Sequence, residues 1–403
     1  MTATTASDRY VPPITAGVVS ALVGFTSAFV VVLAGLTAVG ADPREASSGL
    51  LAVSVTMGLS SILLALWTRL PITVAWSTPG AALLASTGIV EGGWPAAVGA
   101  FLVVGVLILL TGLVPQLGAL IARIPASVAQ AMLAGVLFQL CLGPVTGLAA
   151  NPVAVAPVVI VWLLGLRFWK RWAVPIAFVT AAVVIGIDVL RSGSSIVAAD
   201  LAPRIELTSP TFTLAALVGI ALPLYLVTMA SQNVPGVAVM KGLGFVVPWR
   251  RSMLVTGAGT VLGAPAGGHA INLAAISAAL AAGPDAGADR SRRWIASVSS
   301  GAVIICLGIA SAALGTLVLL APEGVIAAVA GLALLGTFAA SLKSALDEKG
   351  DEIPAAVTFV TAASGIAIAG VSAAFWALVA GIVVRGVLRF RTDAKDSSGG
   401  EGR

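Results

Sequence analysis

Formal charge is scarce in this sequence. Lys, Arg, Asp and Glu make up 10% of 403 residues, against roughly 25% in an average soluble domain. Hydrophobic residues make up 59% and the mean hydropathy is +1.06, which excludes a soluble globular domain. Cysteine is nearly missing. Cys141 and Cys306 both lie inside apolar runs, so no disulfide framework can be built and each reads as a small buried hydrophobe. Histidine occurs once, as His269, and with two scattered cysteines it makes no metal site. Phosphate-binding loops, dinucleotide fingerprints and nucleophile–base constellations are also missing. ATP-driven work and membrane enzymology have nothing to act through, and no cofactor is expected. Carboxylates are absent from well inside the apolar runs, apart from Asp188 near the outer end of the seventh. A cation pathway usually carries one there, so the gap favours an anion.

What the chain has is apolar length. Runs broken by charge, Pro or Gly fall at 14–39, 46–68, 71–89, 93–113, 126–147, 152–169, 172–190, 211–232, 251–264, 266–282, 293–320, 324–342, 354–370 and 372–388. About 18 apolar residues suffice to cross a hydrocarbon layer roughly 30 Å thick. The expected fold is an all-α polytopic membrane protein with about fourteen spans. The polar first residues and the lack of a small-residue cleavage site lead to no expectation of a removable signal peptide. If the N-terminus is cytoplasmic and every run crosses, 19 of the 22 basic residues fall inside, and only Arg44, Arg191 and Arg204 outside. The positive-inside rule then puts both termini in the cytoplasm. The net charge of +5 thereby reports topology rather than nucleic-acid binding.

The polar stretch 191–210 divides the runs into seven and seven. Because seven is odd, a second copy of the same unit enters from the opposite side, the inverted-repeat plan of many secondary transporters. The expected organisation is a first repeat over 1–190, a connection at 191–210, a second repeat over 211–390 and a polar cytoplasmic tail at 391–403. The repeats begin near Ile14 and Thr211, an offset of 211 − 14 = 197.

The third run, PITVAWSTPGAALLAS, carries β-branched residues that favour extended backbone, then Ser77 or Thr78 as a helix cap with Pro79 at the first helical position. The tenth run, APAGGHAINLAAISAAL, has a Pro and two glycines, then Asn272 as a candidate cap. Extended backbone at membrane depth must find hydrogen bonds, so two short strands are expected to pair in the interior. The half-helices then aim their N-termini at one point near the midplane, which suits an anion.

Other residues admit two readings each. Ser231, Gln232 and Asn233 in MASQNVPG can face that point and donate to a carboxylate without a competing charge, or mark a helix end near the cytoplasm. His269 can be a satisfied structural residue, or donate to the anion or carry a proton. Phe25 and Tyr225 can flank a planar substrate, or simply pack.

In PITVAWSTPGAALLA, MASQNVPG and GGHAINLAAI the sequence resembles the benzoate:proton symporter family, the BenE-type proteins of bacterial aromatic degradation, over about residues 10–390. That family is similar in architecture to uracil permease and the sulfate permeases. The resemblance implies an inner-membrane carrier that imports benzoate or a close aromatic carboxylate with a proton. It implies a core of runs 1–4 and 8–11 moving against a gate of runs 5–7 and 12–14, and a homodimer through gate contacts. It also implies a pocket from Ser77, Thr78 and Gly80 on one half-helix, His269 and Asn272 on the other, and Ser231, Gln232 and Asn233 on the eighth span. A carrier for another small anion, a passive anion channel and a non-transporting scaffold are the alternatives.

Overall fold

The computed structural model describes residues 6–121, 123–192, 201–368 and 371–398. Each of the fourteen apolar runs falls on an element. In order these are α1 (Tyr10–Ala38), α2 (Pro43–Thr68), β1 (Val74–Trp76) with α3 (Thr78–Thr87), α4 (Gly93–Leu113), α5 (Ala126–Ala150), α6 (Pro152–Phe168) and α7 (Lys170–Ser192). They continue with α8 (Leu214–Gly242), α9 (Trp249–Gly263), β2 (Ile271–Leu273) with α10 (Ile276–Ala282), α11 (Arg290–Ile309), α12 (Val325–Leu346), α13 (Glu352–Ala363) and α14 (Ala373–Ser398). Among the described residues eight helices are long and apolar enough to cross a bilayer: α1, α2, α4, α5, α7, α8, α11 and α12. The protein is thus a mostly helical, multi-pass membrane protein.

Local chemistry sets several boundaries. Asp42 accepts from the amides of Arg44 and Glu45 while Glu45 reaches back to the Asp42 amide, a capping box that starts α2 on Pro43. Asn151 caps α6 and Thr213 caps α8 through a single side-chain oxygen each, accepting from the amides of Ala154 and Ala216. Two expected boundaries move. The helix of the eighth run continues to Gly242, so Ser231–Asn233 lies well inside it, not at its end. The expected tail is helical as far as Ser398, because α14 continues past the apolar run; residues 399–403 lie outside the described residues. Of the connection at 191–210, residues 191 and 192 finish α7, 193–200 lie outside the described residues, and 203–210 lie against α2 and the tenth run without regular secondary structure. There the Glu206 amide donates to Ser48 Oγ at 2.9 Å and the Thr208 amide to the Pro265 carbonyl at 2.9 Å.

The helices pack in two groups. One holds α1–α4 with α8–α11, and the other α5–α7 with α12–α14. Numbering each helix seven places on returns most of the same neighbours. The α2–α11 contact maps onto α9–α4, α5–α13 onto α12–α6, α6–α7 onto α13–α14, α1–α11 onto α8–α4, and α3–α8 onto α10–α1. Two corresponding crossings are built on glycine. A Cβ on Gly58 would lie 2.7 Å from the Gly301 carbonyl oxygen where α2 meets α11, and one on Gly257 would lie 3.0 Å from the Gly105 carbonyl oxygen where α9 meets α4. Small residues let backbones touch where lipid offers no hydrophobic drive for association.

Candidate functional site

The two broken runs meet. β1 and β2 pair antiparallel with Val74 opposite Leu273, Ala75 opposite Asn272 and Trp76 opposite Ile271. The central partners are 272 − 75 = 197 residues apart. The ladder extends one step at each end, from the Ser77 amide to the Ala270 carbonyl at 2.9 Å and from the Ala274 amide to the Thr73 carbonyl at 3.0 Å. Outward-facing amides find side chains on neighbouring helices. Val74 donates to Ser61 Oγ at 2.8 Å, Ile271 to Thr260 Oγ1 at 3.1 Å and Leu273 to Asn233 Oδ1 at 2.9 Å. Buried extended backbone is tolerated because of such partners.

Both strands lead into helices. Ser77 is the cap of α3, its Oγ accepting from the Gly80 amide at 3.1 Å and from the Thr228 hydroxyl of α8 at 2.8 Å. Thr78 is therefore the first helical residue and Pro79 the second, one place later than expected. A Cβ at Gly80 would crowd the Leu224 methyl and the Ser77 hydroxyl, so a side chain there would displace one of them. On the other side the expectation of an Asn272 cap is overturned. Asn272 is held in the strand ladder, its amide nitrogen donates to the Leu273 carbonyl at 2.7 Å, and α10 starts after Ala275 with no side-chain cap. The far end of α10 is fixed instead. The buried Arg293 guanidinium donates to the Ala282 carbonyl at 2.7 Å and to the Gly287 carbonyl at 3.0 Å, a cation at a helix C-terminus.

A cavity of about 860 Å³, mouth included, opens at the strand junction. Phe25, Ser20 and Ser27 reach it from α1, Trp76 from β1, Thr78 from α3, Gln232 from α8, Ser277 from α10 and Ser300 from α11. Leu334 and Thr337 of α12 form the wall contributed by the other helix group. None of the described lining residues carries a formal charge. Phe25 and Trp76 are ring neighbours at 5.2 Å between centroids, a surface suited to a planar ring.

Of the ten residues singled out from sequence, the cavity gathers Phe25, Thr78 and Gln232. Ser77 and Gly80 shape α3 beneath it. Asn233 serves the strand, and its amide nitrogen contacts Met229 Sδ at 3.1 Å. Ser231 is buried with its hydroxyl unpartnered among the described residues. Tyr225 turns aside to share a 2.5 Å hydrogen bond with Thr111 of α4. His269 is buried behind the strands with Nε2 3.3 Å from the Ser77 carbonyl oxygen. A carbonyl only accepts, so that nitrogen carries the hydrogen and Nδ1, unpartnered among the described residues, is left with its lone pair. The sequence reading missed Trp76, Ser20, Ser27, Ser277, Ser300 and Thr337. Trp76, beside Ser77 in the broken run, carried a readable signal; the lone polar residues on otherwise apolar helices did not.

The family model for the benzoate membrane transport protein, BenE, matches residues 7–387. The chain belongs to this family. BenE-type proteins are membrane transporters, not enzymes, and so is this one. It is 35% identical over 385 residues to the inner membrane protein YdcO of Escherichia coli, covering 95% of this chain and 97% of that one. It is 28% identical over 374 residues to the benzoate membrane transport protein of Acinetobacter baylyi, covering 93% and 94%. Among solved structures, the transmembrane domain of the cyanobacterial bicarbonate transporter BicA aligns with a TM-score of 0.61 at 15% identity, over 94% of this chain and 98% of that one. The murine anion transporter Slc26a9 in its inward-facing state aligns with a TM-score of 0.64 at 15% identity, over 97% and 69%. The chain thus shares its fold with these two transporters.

Proposed function

We propose that this chain is a secondary active transporter that imports benzoate or a similar aromatic carboxylate by proton symport and alternating access. The observation that carries the reading is the cavity at the strand junction, where Phe25 and Trp76 present two apolar rings tilted 57° to one another beside the N-terminus of α3 and none of the described lining residues is charged. A benzoate ring would lie against the aromatic pair. Its carboxylate would take hydrogen bonds from Thr78, Gln232 and the serine hydroxyls, with the partial positive charge of α3 as its counter-field. The relative named for benzoate transport supports the substrate class. His269, buried behind the strands with Nδ1 unpartnered among the described residues, is the residue we assign to the proton.

The largely matching neighbours and the 197-residue register support two inverted seven-span repeats with fourteen spans, while the distribution of basic residues supports both termini in the cytoplasm, and the relative named as an inner membrane protein supports a bacterial inner membrane. The packing groups support a core of α1–α4 and α8–α11 that moves against a gate of α5–α7 and α12–α14, in a homodimer joined through gate contacts. A carrier or channel for another small anion would lack a use for the aromatic pair. Equilibrium binding of labelled benzoate to the purified protein tests the site. Displacement by other aromatic acids but not by excess uracil or sulfate is expected; displacement by sulfate alone would replace benzoate with an inorganic anion.

A further inference from the structure

A second cavity, of about 490 Å³ with its mouth included, follows the first along α1. Thr15, Ala16 and Val19 line it, one turn before Ser20, Val23 and Gly24 of the central cavity, and Leu280 of α10 lines both. The two spaces are therefore consecutive, with Leu280 between them. At the second cavity stand Arg171 and Asp285, with the guanidinium donating to the carboxylate at 2.7 Å.

The position of this pair in the fold gives it its interest. Arg171 lies in the first turn of α7, in the helix group of α5–α7 and α12–α14. Asp285 lies in the turn Pro284–Ala286 that follows α10 and packs on α1, in the other group. The pair thus joins the two groups directly. Among the described residues, the ion pairs of Arg292 with Asp289, and of Arg385 with Asp351 and Glu348, each stay within one group. The Asp285 turn is held rigidly, because the buried Arg293 binds the carbonyls of Ala282 and Gly287 on either side of it. A shift of the α1–α10 unit against α7 must break the Arg171–Asp285 contact or carry a strain across it.

We propose that Arg171 and Asp285 form a latch between the two helix groups, closing the route that runs from the central cavity through the second one along the N-terminal half of α1. This rests on the proposed motion of core against gate, and on that half of α1 facing the cytoplasm. Both side chains are about half exposed, 49% and 55%, so the latch is weak and reversible, as a gate that opens in every cycle needs to be. Exposed pairs of this kind shift an equilibrium by roughly two- to five-fold.

The test uses full-length protein with Cys141→Ser, Cys306→Ser and Ser277→Cys, the last placing a thiol in the central cavity. An impermeant maleimide is applied to the cytoplasmic face of inside-out vesicles, and labelling rates are compared for the native pair, Arg171→Ala, Asp285→Ala, the double alanine variant and the exchanged pair Arg171→Asp with Asp285→Arg. Each single variant is expected to label roughly two- to five-fold faster, the double no faster than either single, and the exchanged pair near the native rate. High salt is expected to speed labelling of the native pair and leave the double variant unchanged. Equal rates in all five proteins, a response to only one single variant, or single effects that multiply in the double would overturn the latch. Labelling needs no substrate, so it stands apart from the benzoate assignment. Protection of the thiol by benzoate, measured in the same vesicles, reports on that assignment separately.

Discussion

Ser77 concentrates more of the site than any other residue. One hydroxyl accepts from the Gly80 amide and from Thr228, its amide holds Ala270, and its carbonyl faces His269. Ser77→Ala removes the helix cap, which costs about 1 kcal/mol, and leaves the Thr228 hydroxyl without its acceptor. Ser77→Ala is expected to lower the melting temperature in detergent and to weaken benzoate binding, whereas Ser47→Ala on the exposed start of α2 leaves both unchanged. Trp76 belongs to the same scale. Trp76→Ala deletes one face of the aromatic pair, and a loss of at least ten-fold in benzoate affinity is expected from equilibrium binding, together with a lower melting temperature because the ring is buried.

At the scale of elements, the strand pair is sustained by side chains borrowed from three helices. Asn233→Leu strips the acceptor from the Leu273 amide in a buried setting, at a cost of about 1–3 kcal/mol. Thermal unfolding is expected to report that loss, and Asn233→Asp, which keeps an acceptor oxygen, to recover part of it. The same elements explain what was legible in the sequence. Apolar runs declare their own length, and β-branched residues before Ser-Thr-Pro-Gly declare a strand running into a capped helix. The tenth run is less legible, because a strand ladder takes Asn272 before it can act as a cap. The eighth run is legible only in part, for a different reason. Helix α8 contains π turns at Leu217–Ala221 and Met229–Asn233. Each inserts an extra residue, which rotates the following side chains by about 100°. No regular period predicts that Gln232 faces the cavity while Tyr225 and Asn233 serve neighbouring elements.

At the scale of the whole molecule, the second helix group has an ionic clasp of its own. Asp351 is buried between α12 and α13, where Ser127 of α5 donates to it at 2.7 Å and Arg385 of α14 at 2.7 and 2.9 Å. Burial pushes the Asp351 carboxyl up. The Arg385 and Ser127 hydrogen bonds and the charges of Arg385 and Arg389 outweigh it and hold the group below its ordinary value of 3.8. A carboxyl held lower when folded contributes stability that is complete above its unfolded pKa and is lost as pH falls through the folded one. The clasp is therefore intact at neutral pH and begins to fail below about pH 4. Asp351→Asn is expected to lower the melting temperature at pH 7, by the equivalent of roughly 3 kcal/mol for a broken buried pair, and to flatten the fall in melting temperature on acidification. A variant that melts with the native acid profile would assign that fall to other groups.

The two groups together make a carrier only if the central cavity takes its substrate across the bilayer against a gradient. The direct measurement is uptake of labelled benzoate into proteoliposomes of the purified protein, with and without an inward proton gradient. Accumulation above the external concentration, dependent on the gradient, unaffected by excess uracil or sulfate and lost in Trp76→Ala, is the predicted result. Benzoate that only equilibrates, or fails to enter vesicles holding folded protein, would contradict proton-driven transport of an aromatic carboxylate.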